Sequence, residues 1–562
     1  MGPPGALGCL YLVLWVGGWG VTGLQEVSIG KFTELRLNHS TPTEILLQNI
    51  PANVSYVLFH VHTRYQNVTV SLSKIPFAND SLTGNDAGLL NVLRAEQTVC
   101  TWYLESVDLN QVLAIAVTVP YGDRDPIPGA CNLEFTLDID PNVYLQYNLY
   151  ETVITFAPAN LGYARGSLAP PCDVMMDEQS RWRLQYDVYQ YFLPENNLND
   201  TILLAHLDRM SMVQQIISNG IKTVTLTSSD LTKVSFSSMP GQGVIYNVVV
   251  RDPLLNTSAA YVPAHTYACN FTDTMDNCYT LGKASTKVFF LFCSFFGLFI
   301  CFFGHRFLKT EFFFMGFIIV GFLVFVFLTR VTALGYDARL ALTAACGIAG
   351  GLLFVGFWWR FGCPFLCMLL VGLVLGFFTS AVLFFTPIGG YATFRSDTIF
   401  WLTFACISLV VPVSLVACAR ILNILTCGIV GSYTMVLAVD GFVFTSLAYI
   451  TLNILKRAVN QAFSNAFTNV PFQTNDFIII AFWILLAIGG ISTQLYRERD
   501  KAPFPPTPYL LWTRDRERRK TNVLDPSYHI PPIKDRMMIR LAQLRDFFRT
   551  EQPTGERTPL LL

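Results

Sequence analysis

Residues able to do chemistry are few in this sequence and widely scattered. His60 and His62 stand two apart in an apolar run, so on a β-strand both imidazoles would share one face and could in principle hold a metal. No third ligand follows at a readable spacing, so the pair is read as a half-exposed strand face, with no metal site expected. Asp123-Arg124-Asp125-Pro126 places two carboxylates close together, but these residues favour turns for backbone reasons and the segment is read as one. Asp440 closes a long apolar stretch, where a carboxylate must sit at a membrane interface, be paired, or line a wet cavity. It stands nearly alone as an intramembrane charge, whereas a transporter would show several. No Gly-rich phosphate loop, nucleophile elbow or zinc-protease signature occurs. His305, at a boundary, is the one His near the apolar stretches, which disfavours an intramembrane zinc hydrolase. The chain reads as a non-enzyme without a cofactor, and no catalytic residue is assigned.

Cysteine and asparagine usage marks a compartment. Five of the 14 cysteines, Cys100, Cys131, Cys172, Cys269 and Cys278, lie in the polar first half. In an oxidising compartment Cys100 with Cys131 and Cys269 with Cys278 are the local pairs, leaving Cys172 free or exchanged with one of them; spacing does not fix connectivity. Asn-x-Ser/Thr triplets begin at Asn38, Asn53, Asn67, Asn79, Asn199, Asn256 and Asn270, all before the first long apolar stretch. Seven on one side and none after fits lumenal exposure and N-glycosylation of that part.

The elements that carry these residues fall into distinct zones. Only 14% of the 562 residues are charged, against roughly 25% in a soluble globular chain, so much of the surface must meet lipid. Residues 1–23 carry a short apolar run ending in small residues and are read as a cleaved signal peptide. Residues 24–285 alternate short apolar runs with Pro, Gly and Asn-Asp turns. That period-two pattern predicts an all-β, sandwich-like ectodomain in two halves, 24–140 and 141–285, divided near Asp140-Pro141. Seven apolar stretches follow within 286–496, at about 286–304, 312–328, 340–359, 363–385, 399–419, 421–439 and 477–495, each of a length to cross the hydrocarbon as helix. The fold class is an α+β membrane protein: a β ectodomain, then a seven-helix bundle. Gly347 with Gly351 and Gly372 with Gly376 have the spacing that lets helices approach closely, and packing within the bundle is their expected use. Between Asp440 and the last stretch, Tyr449 to Phe463 predicts an amphipathic helix at the lumenal surface.

Charge fixes the direction. Residues 1–287 hold 15 Lys and Arg against 25 Asp and Glu, whereas the tail 497–562 holds 14 against 9. A basic tail places the C-terminus in the cytosol and the acidic half outside. Within the tail, Arg514–Lys520 forms a basic run, and Met537, Leu541, Leu544 and Phe548 recur at helical spacing among basic residues. Such a helix beside a bilayer would lie on anionic membrane lipids; a chain anchored by its spans gives little scope for nucleic acid as a partner. Glu556 followed by Leu560 and Leu561 has the acidic dileucine pattern, whose leucines fill a pocket on a clathrin adaptor. It predicts a plasma-membrane protein with endosomal and lysosomal traffic.

Several stretches carry a family likeness: Asn132-Leu133-Glu134-Phe135 with Asp138-Ile139-Asp140-Pro141, Phe156 to Ala164, Phe303-Gly304-His305-Arg306-Phe307, Asn469 to Phe477, and Glu556 to Leu562. Over nearly the whole chain these resemble the transmembrane seven superfamily member three family, and the membrane part is similar to the domain shared with transmembrane protein one hundred and ninety-eight. The resemblance implies a seven-pass surface protein without enzymatic chemistry and a homeostatic, pro-survival role that dampens endoplasmic-reticulum stress. It brings no catalytic or ligand-binding residue. Two functions are weighed: an ectodomain that binds an unidentified protein, glycan or lipid ligand, and a channel, transporter or lipid mover built on the glycine-rich bundle around Asp440.

Overall fold

The computed structural model describes residues 24–39, 41–109, 111–173, 179–195, 197–271, 284–362, 364–443, 445–500, 504, 508–521 and 533–548. Two β-rich units come first. In residues 24–121, alternating apolar positions build two facing sheets. One runs in spatial order Leu24–Val27, Thr43–Leu47, Cys100–Ser106, Val68–Ser71 and Ser81–Gly84, the other Thr33–Leu37, Val112–Tyr121, Tyr56–His62 and Asp86–Val92. Phe59 and Trp102, from opposite sheets, stack 4.5 Å apart between them.

Strand Tyr56–His62 is buried at every position. Val57, Phe59 and Val61 enter the core between these sheets. Tyr56 and Leu58, on the other face, join a second core that continues into the next unit. The half-exposed face expected for His60 and His62 is therefore wrong: both are fully buried, because a second β unit covers the face they share.

That second unit has a three-stranded sheet, Val143–Tyr147, Glu151–Phe156 and Lys233–Ser237. Its other sheet runs Ile221–Thr227, Gln185–Phe192, Val244–Asp252 and Thr257–Ala260, with Ala264–Thr266 also paired to Val244–Asp252. Two helices, α1 (Asp200–Asp208) and α2 (Val213–Asn219), depart from the all-β expectation. Their signal was present: the Asn199 side chain caps α1 by accepting from Thr201 N, and Leu203, Leu204 and Leu207 bury one face. Cys131 forms a disulfide with Cys172, while Cys100 is a buried free thiol. The local pair Cys100–Cys131 does not form because the two residues belong to different units. Cys269 is disulfide-bonded, and Cys278 lies outside the described residues. Ile127 bridges to Asn160, so chain ahead of Asp140-Pro141 already packs with the second unit.

The helical part comprises α3 (Ala284–Phe303), α4 (Leu308–Val331), α5 (Tyr336–Phe361), α6 (Pro364–Phe385), α7 (Asp397–Leu415), α8 (Ala419–Asp440), α9 (Tyr449–Val459) and α10 (Thr474–Glu498), followed by α11 (Pro508–Thr521) and α12 (Ile533–Phe548). Six helical stretches among the described residues are long and apolar enough to cross a membrane. The fifth, Asp397–Asp440, is 44 residues long and consists of α7 and α8 joined by a 3-10 turn at Val416–Cys418. Along α6, Phe384 meets Phe400, Ser380 meets Phe404 and Gly372 meets Pro412, so α7 runs antiparallel to it. Gly372 also meets Leu422 and Phe378 meets Tyr433, so α8 runs parallel to α6. The chain therefore reverses at the 3-10 turn.

The paired glycines serve these contacts. Gly347 and Gly351 of α5 face Phe317 and Phe313 of α4, and Gly372 and Gly376 of α6 face Pro412 and Ser408 of α7. A Cβ on Gly376 would stand 2.0 Å from the Ser408 carbonyl oxygen, a contact with backbone that no rotamer relieves. Gly376→Val should destabilise the bundle by at least about 1–3 kcal/mol, the usual cost of overpacking. A lower melting temperature of the full-length protein in detergent is the expected readout; an unchanged one would refute the close approach.

Candidate functional site

Two polar constellations stand out, one between the β units and one between the ectodomain and the bundle. At the first, His60 and His62 extend from their strand toward Asp86 on the neighbouring strand and His265 of the second unit. His60 Nδ1 lies 2.7 Å from His62 Nε2, and His62 Nδ1 lies 2.6 Å from Asp86 Oδ1. His265 Nδ1 is 2.9 Å from Asp86 Oδ1, its backbone N–H donates to Asp86 Oδ2 at 2.9 Å, and its Nε2 is 2.9 Å from the Arg64 carbonyl oxygen. Both ring nitrogens of His265 thus face acceptors, which requires an imidazolium if Asp86 is ionised. The four groups form a chain rather than a cage around one point, and among the described residues no cluster suited to a metal occurs.

Electrostatics follow this geometry. Burial, then the neighbouring His62, hold His60 well below its usual pKa. Burial pulls His265 down, but the Asp86 charge and the hydrogen bonds to Asp86 and Arg64 outweigh it and raise its pKa. Burial also pushes Asp86 up, yet His265 and His62 hold it well below the carboxylate range. Further links cross the same seam: Asn142 donates to the Gly88 carbonyl and accepts from the Gly88 N–H, Arg64 pairs with Asp200 at 2.9 Å, and Tyr121 Oη accepts from Ala260 N at 3.0 Å.

The second constellation ties the ectodomain to the bundle. The chain after α9 rises so that Phe467 N donates to Ser235 O and Phe467 O accepts from Ser237 N, adding a bridge to the edge strand Lys233–Ser237. Lys456 Nζ donates to Ser237 Oγ at 3.1 Å and Ser238 O at 2.6 Å, with the Tyr449 and Phe463 rings beside it. It is only 7% exposed, and burial pushes its pKa down to about 7. α9 is the expected helix, but it does not lie free on a surface: Ile450 and Ile454 pack into the bundle and the ectodomain covers Lys456. Gln473 donates to Leu193 O and accepts from Glu195 N. Burial, then the charge of Asp476, push Glu195 up to about 7.

Asp440 ends α8, accepting from the N–H and Oγ of Thr445, so the helix does not continue toward Ile454. The carboxylate belongs to the ectodomain-facing end of the bundle, near Asp476 and Glu195. Nor does it stand nearly alone. Asp476, capping α10, and Glu311, at the opposite end of the bundle, are both fully buried. Both were missed because they open their helices, where a carboxylate also reads as a cap beside a loop.

Comparison with known proteins accords with this architecture. Family models match residues 23–121 as the TM7SF3-like N-terminal immunoglobulin-like domain, 126–272 as the TM7SF3-like second immunoglobulin-like domain and 290–495 as the TM7S3/TM198-like domain. The chain is 59% identical over 540 residues to transmembrane 7 superfamily member 3 of Mus musculus, covering 96% of each chain. It is 58% identical to the Homo sapiens protein, covering 96% of this chain and 95% of that one, and 58% identical to the Rattus norvegicus protein, covering 96% of each. The chain belongs to the transmembrane 7 superfamily member 3 family. This family member is a multi-pass membrane protein with an immunoglobulin-like ectodomain. A solved Bacteroides uniformis beta-glucuronidase structure aligns at TM-score 0.16 and 7% identity over 42% of this chain and 25% of that one, which carries no weight.

The other expected residues are placed as follows. Asn38, Asn53, Asn67, Asn79, Asn199, Asn256 and Asn270 are all exposed. Asp125 closes the turn expected at 123–126, accepting from Gly122 N. The leader 1–23 and the Glu556, Leu560, Leu561 motif lie outside the described residues. In the tail, α12 covers the segment of helical spacing, and α11 docks its Tyr509 under Arg360 and against Trp359 of α5.

The histidine chain should give the seam between the immunoglobulin-like domains a stability optimum near neutral pH. His60, depressed when folded, contributes stability present above its unfolded value of about 6.5 and lost as pH falls. His265, raised when folded, contributes stability present below about 6.5 and lost as pH rises through its folded value. Hydrogen exchange of residues 264–266 should be slowest near neutrality after correction for intrinsic rates. His60→Asn should flatten the acid arm and His265→Gln the alkaline arm. A profile without an optimum would refute the assignment.

Proposed function

We propose that this protein is a non-enzymatic, seven-pass membrane protein whose immunoglobulin-like ectodomain binds a partner and transmits that binding to the helix bundle. The observation that carries this reading is the bridge from Phe467 to the edge strand Lys233–Ser237 with Lys456 locked beneath it. A domain joined through backbone bonds and a buried cation moves with the bundle, whereas one on a free linker does not. The stretch Asp397–Asp440, 44 residues and about 66 Å long as helix, is twice the roughly 30 Å of hydrocarbon. Its reversal at Val416–Cys418 supports two crossings there, hence seven in all. An odd count sets the glycosylation triplets and the basic tail on opposite sides of the membrane, which on this reading are the outside and the cytosol. There the tail helices meet anionic lipid and the terminal dileucine motif meets a clathrin adaptor, giving a plasma-membrane protein with endosomal and lysosomal traffic. Family resemblance adds the pro-survival role that restrains endoplasmic-reticulum stress.

A second reading, conduction or lipid movement, is favoured by the buried carboxylates Glu311 and Asp476, since intramembrane charge often marks a pathway. Vesicles reconstituted with the wild type should show no protein-dependent ion or lipid flux; a flux abolished by Asp440→Asn would overturn the first reading in favour of the second. Replacing Leu560 and Leu561 together by Ala should raise surface abundance measured by surface biotinylation. No change would remove the adaptor from the proposal.

A further inference from the structure

We propose that Glu311 is a proton-binding site inside the bundle, reached from the face opposite the ectodomain. Glu311 lies in the first turn of α4 and has no solvent exposure. Its Oε2 accepts from Asn423 Nδ2 at 2.9 Å, while its Oε1 has no hydrogen-bond partner. Asn423, equally buried on α8, also directs Nδ2 to His305 Nδ1 at 3.0 Å, and its Oδ1 has no partner either. Two buried oxygens on adjacent, hydrogen-bonded side chains thus lack a donor. Among the described residues no salt bridge reaches Glu311, and the groups that bond it, the Asn423 amide and the Cys427 thiol, are neutral. A carboxylate removed from water without a cation is far costlier than the neutral acid. A proton on Oε1 removes the charge and gives the pair a donor.

The route to this carboxyl is built from neighbouring side chains. Because His305 Nδ1 accepts from Asn423, the ring carries its proton on Nε2. His305 also lines a small open pocket with Arg306, Gln494, Arg497 and Glu498. Gln494 holds this wall in place, accepting from His305 N at 3.1 Å and donating to Cys301 O at 2.7 Å. The titratable and charged groups facing the site are His305 and Arg306 from the α3–α4 connection, Cys301 from α3, Cys427 from α8, Cys367 from α6, and Arg497 and Glu498 from α10. α5 brings Trp358. Loading the proton couples the α3–α4 connection to α8, whose buried residues run from Leu422 to Ala438. This goes beyond the partner-binding reading and does not depend on it, since a bound proton need not cross.

The test uses the full-length protein in lipid nanodiscs. Infrared difference spectra of wild type against Glu311→Gln at neutral pH should show a protonated-carboxyl band that is lost in the variant. A hydrophobic carbodiimide, which modifies protonated carboxyls, should label Glu311 of the wild type, located by mass spectrometry, and lose that adduct as the pH is raised. The labelling needs no variant, so it stands if Glu311→Gln fails to fold. Identical infrared spectra, or wild-type protein without an adduct at Glu311 from mildly acidic to neutral pH, would overturn the proposal.

Discussion

Polar groups withdrawn from water must find partners within the chain, and in this protein that demand operates in two media. In hydrocarbon it leaves the helix as the form that satisfies every peptide group within a segment. Between the immunoglobulin-like domains it acts through side chains. Strand Tyr56–His62 has no wet face, so whatever it carries opposite its own core must be matched by the second domain. Leu58 and the Tyr56 ring are matched by packing, the Tyr56 hydroxyl donates to the Asp125 and Pro126 carbonyls, and His60 and His62 are matched by Asp86 and, through it, His265.

The same demand explains where the bundle keeps its polar residues. α8 is buried along one side from Leu422 to Ala438, which makes it the pillar around which the other helices stand. Its ends carry Asn423 and Asp440, and each meets a carboxylate that begins a different helix: Glu311 on α4 at one end, and Asp476 on α10 near the other. Between these ends glycine and small hydroxyl or thiol side chains make several of the contacts, beside the Phe378–Tyr433 ring pair. Cys301 Sγ reaches Gly428 O, and the Trp483 indole donates to Ser432 Oγ. Close backbone approach does there what hydrophobic burial cannot do in lipid.

The ectodomain and bundle are joined by a device that belongs to neither alone. The connection between α9 and α10 supplies Phe467 as an added bridge on a β-sheet edge, which also covers an edge otherwise open to pairing with other chains. Lys456 gives up hydration for a serine hydroxyl, a serine carbonyl and two aromatic faces. A long amphipathic side chain is suited to this, because its stem packs while its head bonds.

Local pattern and composition determined much of this protein. Period-two alternation announced the β units, apolar length announced the membrane helices, and the spacing of Gly347, Gly351, Gly372 and Gly376 announced close helix contacts, because each depends on neighbours within one element. Tertiary structure alone decided the rest. His62 finds Asp86 24 residues away and His265 reaches the same carboxylate from 179 away, the disulfide of Cys131 is with Cys172 rather than the nearer Cys100, and Glu311 finds Asn423 across 112 positions. Long-range pairing is set by how finished elements dock. The residues that bear charge out of water are therefore the ones whose roles a linear pattern could not assign.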